Sequence, residues 1–275
     1  MSDEQLAQDD PLDDFIAHKV VIDGIEKLVH VSGEGSGVIV MPEMPGLTPH
    51  VARFARWVRD AGFTVYVPSL FGRDGAVADA AHGAAVFRRG CVSAEFRALG
   101  GGGVSSPVTH WLMGLARQVH AACGGPGVGA VGMCFTGNFA LTMMLEPAVL
   151  APVLCQPALP LDNPAGLEIA PEELAAVAAR MEREDLSALA FRFAGDPFCR
   201  AERFASYRTT LGDRFDGRVV SDAAANPEVP PFYAEHVPAP HSVVTVHLIN
   251  AAGSPTLAAR DEILSFLRRR LVAAS

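Results

Sequence analysis

Short, continuous apolar runs alternate with longer amphipathic stretches along most of this chain, a pattern that predicts buried strands separated by helices. Residues 18–24 (HKVVIDG) and 27–33 (KLVHVSG) alternate apolar with polar positions and read as two strands of an edge hairpin turning near Gly24. Residues 36–43 (SGVIVMPE) then form an uninterrupted apolar run. Residues 51–62 carry the period of an amphipathic helix that stops at Gly62, and residues 63–73 (FTVYVPSLFGR) give a second buried strand with its exit loop. The order is β-α-β. A less regular stretch, 74–107, contains four consecutive glycines at 100–103 and reads as a variable connection. Beyond it come a helix over 108–123, strands over 128–133, 149–157 and 189–196, helices over 171–185 and 202–215, and a closing helix over 262–271. Strands alternating with helices imply an α/β fold whose mostly parallel central sheet is covered by helices on both faces.

The chain has 275 residues, 49% of them hydrophobic, enough for one full core, and a single domain is expected over 16–275. The first 15 residues are acidic with no apolar centre. They read as a flexible tail, and neither as a signal peptide nor as a membrane anchor. A net charge of −9 without a basic tract offers nucleic acid no footprint, which turns attention to a small molecule. The five cysteines are an odd number without C-x-x-C spacing, which argues against a disulfide framework and against a metal site and suits a reducing cytoplasm. No residue pattern calls for a cofactor.

One of those cysteines stands apart. Cys134 follows the apolar strand 128–133 and precedes the apolar, helix-like run 138–145, with Gly132 and Gly137 on either side. A nucleophile held on a tight strand-to-helix turn has this context, and a helix N-terminus behind it would favour the thiolate. The competing reading is a small buried hydrophobe, the usual fate of an isolated intracellular cysteine. Position 136, two after the cysteine, is Thr where close strand-helix approach favours glycine, so the turn is expected to open slightly.

In open α/β sheets ligands lie beyond the carboxyl ends of the strands, a rule that selects Glu43, the loop after Pro68, Cys134 and Asp196. A thiol nucleophile needs a base, and the base an orienting carboxylate. Asp196, in Gly-Asp-Pro directly after a strand, fits the acid, with a turn or cap aspartate as the alternative; Asp162 in a Pro-rich turn competes less well. Of nine histidines only His236, His241 and His247 follow Asp196. His241, just after the loop Val-Pro-Ala-Pro, is the leading base, His236 is second, and His247 reads as structural.

Taken together these residues resemble the dienelactone hydrolase family, cysteine-dependent members of the α/β-hydrolase superfamily. The similarity runs from about Gly37 to the last helix and is poorest over 74–107 and after Asp213. Gly132, Cys134 and Gly137 match the family's Gly-x-Cys-x-Gly-Gly motif, with Thr136 as the departure. Residues 67–73 resemble its V-x-P-D-L-(F/Y) segment with Ser69 in place of aspartate, and His241-Ser242 resembles its catalytic His-Ser-Phe. The resemblance implies a Cys134, His241, Asp196 triad. It further implies that Glu43 contacts the resting thiol, and that the N–H groups of Met44 and Phe135 form the oxyanion hole. Arg73, Arg88, Arg89 and Arg97 are candidates for binding a substrate carboxylate, though none sits in a matching motif. The expected activity is hydrolysis of a small-molecule ester or lactone of the carboxymethylenebutenolidase type, through an acyl-enzyme, with neither nucleic acid nor membrane as partner. The alternatives are a general carboxylesterase or thioesterase, or a non-catalytic protein of the same fold that binds a small molecule.

Overall fold

A computed structural model describes residues 3–272. In chain order the strands are β1 (Ile16–Ile22), β2 (Ile25–Ser32), β3 (Gly37–Met41), β4 (Thr64–Pro68), β5 (Val128–Met133), β6 (Val149–Cys155), β7 (Ala188–Phe193) and β8 (Phe215–Val220). The helices are α1 (Asp3–Leu6), α2 (Pro49–Asp60), α3 (Ala80–Val92), α4 (Val108–Cys123), α5 (Phe139–Thr142), α6 (Pro171–Arg183), α7 (Ala201–Leu211), α8 (Pro231–His236) and α9 (Pro255–Leu271). The eight strands form one sheet in the order β1-β2-β4-β3-β5-β6-β7-β8. β1 and β2 form the expected edge hairpin, β2 runs antiparallel to β4, and every later pairing is parallel.

Side chains of successive strand residues point to opposite faces, so each central strand feeds two cores. Val38 and Val40 of β3 pack with Val51, Phe54 and Val58 of α2 and with Ile263 and Leu267 of α9. Ile39 and Met41 pack on the other face with Leu112 and Leu115 of α4, Phe139 of α5 and Val177 of α6. Full burial of each such side chain contributes roughly 1.5–3 kcal/mol, which explains why the central strands read as unbroken apolar runs. Among the described residues no helix is long and apolar enough to cross a membrane.

Three segments differ from expectation. The irregular stretch 74–107 contains α3, a helix whose alanines and glycines carry little amphipathic signal. Residues 215–220, of which Phe215 was read as the end of a helix and the rest were assigned no element, form β8, whose exposed Asp216 interrupts any apolar run. The acidic N-terminal segment, expected to be a flexible tail, is packed over residues 9–15. Arg56 of α2 binds Asp10 (2.6 and 2.9 Å) and Asp14 (2.6 and 2.8 Å), while Leu12, between these acids, and Phe15, directly after them, are buried. The Arg56 guanidinium holds the Asp14 carboxyl down at about 2 against the cost of burial. Met1 and Ser2, also in that expected tail, lie outside the described residues.

Candidate active site

β5 ends at Met133 and the chain reverses through Cys134, whose φ of 53° is a left-handed conformation rare for residues with a side chain. The sharpness of the turn depends on its glycines. A Cβ on Gly132 would stand 2.1 Å from the Thr136 carbonyl oxygen, and one on Gly137 would stand 2.5 Å from Cα of Pro157. Thr136 does not open the turn as anticipated. Its hydroxyl oxygen accepts the Met133 N–H at 2.8 Å and lies 3.1 Å from the Met41 carbonyl and 3.3 Å from that of Pro42, fastening the turn to the neighbouring strand exit. The continuous helix anticipated over 138–145 is broken into α5 between two 3-10 turns, Cys134–Thr136 and Met143–Leu145. A long helix dipole therefore does not stand behind the thiol. Asn138, at the break, donates its amide to the Glu168 carbonyl at 2.6 Å and accepts the Tyr207 hydroxyl at 2.6 Å.

The structure brings Asp196 and His241 together with Cys134. Asp196 follows β7, and its Oδ1 accepts the N–H groups of Phe198 (2.9 Å) and Cys199 (3.0 Å), which fixes the carboxylate. Its Oδ2 lies 2.8 Å from Nδ1 of His241, with both side chains buried. The opposite ring nitrogen, Nε2, is buried without a protein partner of hydrogen-bond geometry, and Cys134 shares its cavity. Burial, the largest influence, pulls the imidazole toward neutrality, but the charges of Asp196 and Cys134 and contacts with both hold it well above the ordinary histidine value. The arrangement favours a protonated imidazole facing Cys134. Loose nucleophile-base geometry is common before substrate arrives.

His241 sits on an irregular turn pinned by His247, the histidine read as structural. The Nδ1 of His247 accepts the N–H groups of His241 (3.4 Å) and Ser242 (3.1 Å), a role that requires a neutral ring, and burial with the nearby His241 lowers it to about 4. His236 is exposed at the cavity mouth. Asp162 accepts the N–H groups of Gly100 (2.8 Å) and Gly101 (3.0 Å), serving the glycine loop.

Glu43, fully buried after β3, makes different contacts from those implied. Its carboxyl accepts the hydroxyls of Ser242 (2.6 Å) and Thr245 and the Gln156 amide (3.3 Å), and none of its hydrogen bonds goes to Cys134. Burial raises its pKa, opposed by those two hydroxyl donors. Ser242 and Thr245 therefore tie the turn carrying His241 to the exit of β3. Sequence reasoning passed over both, although their spacing from His241 was visible.

Met44 and Phe135, the residues expected to supply the oxyanion donors, both line the cavity beside Cys134. The Met44 carbonyl, on the far side of that residue, accepts the buried Tyr233 hydroxyl of α8 at 2.8 Å. Of the four candidate arginines, only Arg88 lines the cavity; Arg73 is exposed and pairs with Asp9 at 2.6 Å. Ser69, the departure from the usual aspartate, donates to Asp74 at 2.9 Å, and Asp74 in turn binds His30 at 2.9 Å, so a carboxylate is restored there from five residues downstream.

Comparison with known proteins adds a family and a fold. The model of the dienelactone hydrolase family matches residues 27–185, a span that includes Glu43, Met44, Cys134 and Phe135 and ends before Asp196 and His241. No curated protein sequence gives a significant match. Among solved structures, a dienelactone hydrolase-like promiscuous phosphotriesterase from metagenomic libraries is 19% identical, with 94% of this chain and 99% of that one covered and a TM-score of 0.59. A cold-adapted esterase from an Arctic intertidal metagenomic library is 12% identical, with 93% of each chain covered and a TM-score of 0.56. A dienelactone hydrolase described as putative, from Klebsiella pneumoniae, is 16% identical, covers 93% of this chain and 98% of its own, and has a TM-score of 0.55. At these identities the likeness shows the shared α/β-hydrolase fold.

Proposed function

The chain belongs to the dienelactone hydrolase family, and from that premise we propose that it hydrolyses a carboxylic ester or lactone with Cys134 as nucleophile. The observation that carries this reading is the placement of His241, held by Asp196 at Nδ1 and presenting an unpartnered Nε2 in the cavity of a cysteine with left-handed backbone. The thiolate adds to the carbonyl carbon, and the N–H groups of Met44 and Phe135 receive the charge on oxygen. Collapse of the adduct breaks the C–O bond while His241 gives its Nε2 proton to the leaving alkoxide, forming a thioester. Water then adds to the thioester as His241 takes its proton, and the thiolate departs, leaving acid and alcohol, or a single hydroxy acid from a lactone.

A carboxylesterase or thioesterase would use the same steps, and a non-catalytic binding protein would use none of them. One experiment separates these outcomes: hydrolysis of dienelactone, p-nitrophenyl acetate and an acyl thioester by the native protein and by Cys134→Ala, alongside iodoacetamide labelling. The expected result is turnover of an oxygen ester or lactone that Cys134→Ala abolishes, with selective alkylation of Cys134. The contrast among thiols favours that selectivity, because Cys155 and Cys199 are fully buried and burial, first, raises both thiols. Unchanged turnover in Cys134→Ala, or labelling spread evenly over the cysteines, would overturn the mechanism.

A further inference from the structure

The cavity above Cys134 has a volume of about 320 Å³, and its walls come largely from the segments whose structure was least legible in the sequence. α3 approaches because two of its residues lack a side chain. A Cβ on Gly83 would lie 2.4 Å from Cδ2 of Phe232 in α8, and one on Gly90 would lie 2.2 Å from Cε of Met44. Residues 83, 87 and 90 share one helical face. Phe87 is thereby carried against Phe135, with ring centroids 5.6 Å apart at 66°, and lines the cavity. Phe232, Val237, Leu161 and Phe198 complete an apolar enclosure. Its charged or titratable members beyond the Cys134–His241 pair and the bonded Tyr233 hydroxyl are Arg88 and His236, both exposed at the mouth. Apart from His241, whose charge is already matched by Asp196 at 2.8 Å, no buried cation among the described residues faces the interior, so a carboxylate drawn down among these rings would lose its hydration without a partner of its own, a costly exchange.

We propose that the acyl group accepted beside Cys134 is uncharged and apolar, an aliphatic or aryl chain, and that Phe87 and Phe232 are specificity-determining residues for it. This assignment rests on the hydrolase reading of the same site. Burial of each additional methylene raises kcat/KM roughly fourfold while the cavity has room. Ala84, on the inner side of α3, leaves space that a larger side chain would occupy.

The test compares p-nitrophenyl esters of acetate, hexanoate, 4-methylpentanoate and succinate, the last two differing in an isopropyl group against a carboxylate of similar shape. Hexanoate is expected to exceed acetate, and 4-methylpentanoate to exceed hemisuccinate, each by about tenfold or more in kcat/KM. Ala84→Phe should reduce the hexanoate-to-acetate ratio, and Arg88→Ala should leave the 4-methylpentanoate-to-succinate ratio unchanged. Hemisuccinate as the better substrate, with its advantage lost in Arg88→Ala, would overturn the proposal while leaving the hydrolase reading intact. Absence of any turnover dependent on Cys134 would instead sink the hydrolase reading. Cavity preference is then read from thermal shifts of Cys134→Ala with methyl 4-methylpentanoate and with monomethyl succinate. A shift with the neutral ester alone supports the proposal, and any other pattern refutes it.

Discussion

Replacing Thr136 with valine should expose how the two halves of the proposed oxyanion site are held in register. The β3–β5 ladder ends at the pair Met41–Gly132, whereas the two proposed donors, on Met44 and Phe135, lie three residues further along each strand exit. Beyond the last ladder pair, the Thr136 hydroxyl touches both sides: it accepts from Met133 N–H at 2.8 Å and reaches the carbonyls of Met133 at 3.0 Å and Met41 at 3.1 Å. Having one proton, it donates to one carbonyl at a time. Valine keeps the buried volume but leaves the Met133 N–H unpaired, at a cost of about 1–3 kcal/mol. For a protein of this size that lowers Tm by roughly 3–10 °C. Loss of a whole oxyanion donor costs about 10²–10³ in kcat. A donor displaced rather than lost should cost less, so kcat is expected to fall by about tenfold or more with KM little changed. Steady-state kinetics on p-nitrophenyl acetate, normalised to active sites by thiol titration, separate this outcome from partial unfolding. Thr136→Ser, which restores the hydroxyl, should recover most of the kcat. Native kcat in a thermally weakened Thr136→Val would reduce the hydroxyl to a structural part, and failure of serine to rescue would move the effect to the lost methyl group.

Asp196→Asn should retain the fold while placing an amide donor or a weaker acceptor against His241, and kcat is expected to fall roughly 10²–10⁴-fold. A kcat within about threefold of native would remove Asp196 from the triad. Acid should destabilise the protein through its buried neutral histidines. Between the ordinary value of 6.5 and about 4, the unfolded chain binds a proton that His247 in the folded protein refuses. This contribution is present in full above pH 6.5 and is lost as the pH falls, amounting to on the order of 3 kcal/mol by pH 4. His50, lowered to about 3 by burial and then by the charges of Arg53 and His247, adds to the same slope. Thermal denaturation of native and His247→Asn proteins from pH 7 to pH 4 should show a shallower acid limb in the variant, and identical limbs would refute the assignment.

What could be read from sequence follows from where the information lies. The strands β3 to β7 are buried on both faces and announce themselves as apolar runs, and the strand-end rule then points to Glu43, Cys134 and Asp196 without any fold in hand. His241 was reachable because it follows Asp196 and a Pro-rich loop. α3 was not, because its contact with the site is made by absences at Gly83 and Gly90, and an absent side chain leaves no apolar period to count. The contacts of Thr136, Ser242 and Thr245 were hidden for a related reason. Small hydroxyl residues carry little propensity signal, and their partners lie 95, 199 and 202 positions away in the chain.

Those hydroxyl contacts change how the site is understood. Thr136 joins the exit of β5 to that of β3, Ser242 and Thr245 join the exit of β3 to the turn bearing His241, and Asp196 joins that turn to the exit of β7. Cys134 is thus held by a chain of buried hydrogen bonds that passes through the segment carrying each proposed catalytic group. In such a network the loss of one bond leaves its partner unsatisfied in a medium of low dielectric, so the links support one another more than their separate strengths suggest. The departure at position 136 from the family's glycine therefore adds a brace where the ladder between β3 and β5 has already ended.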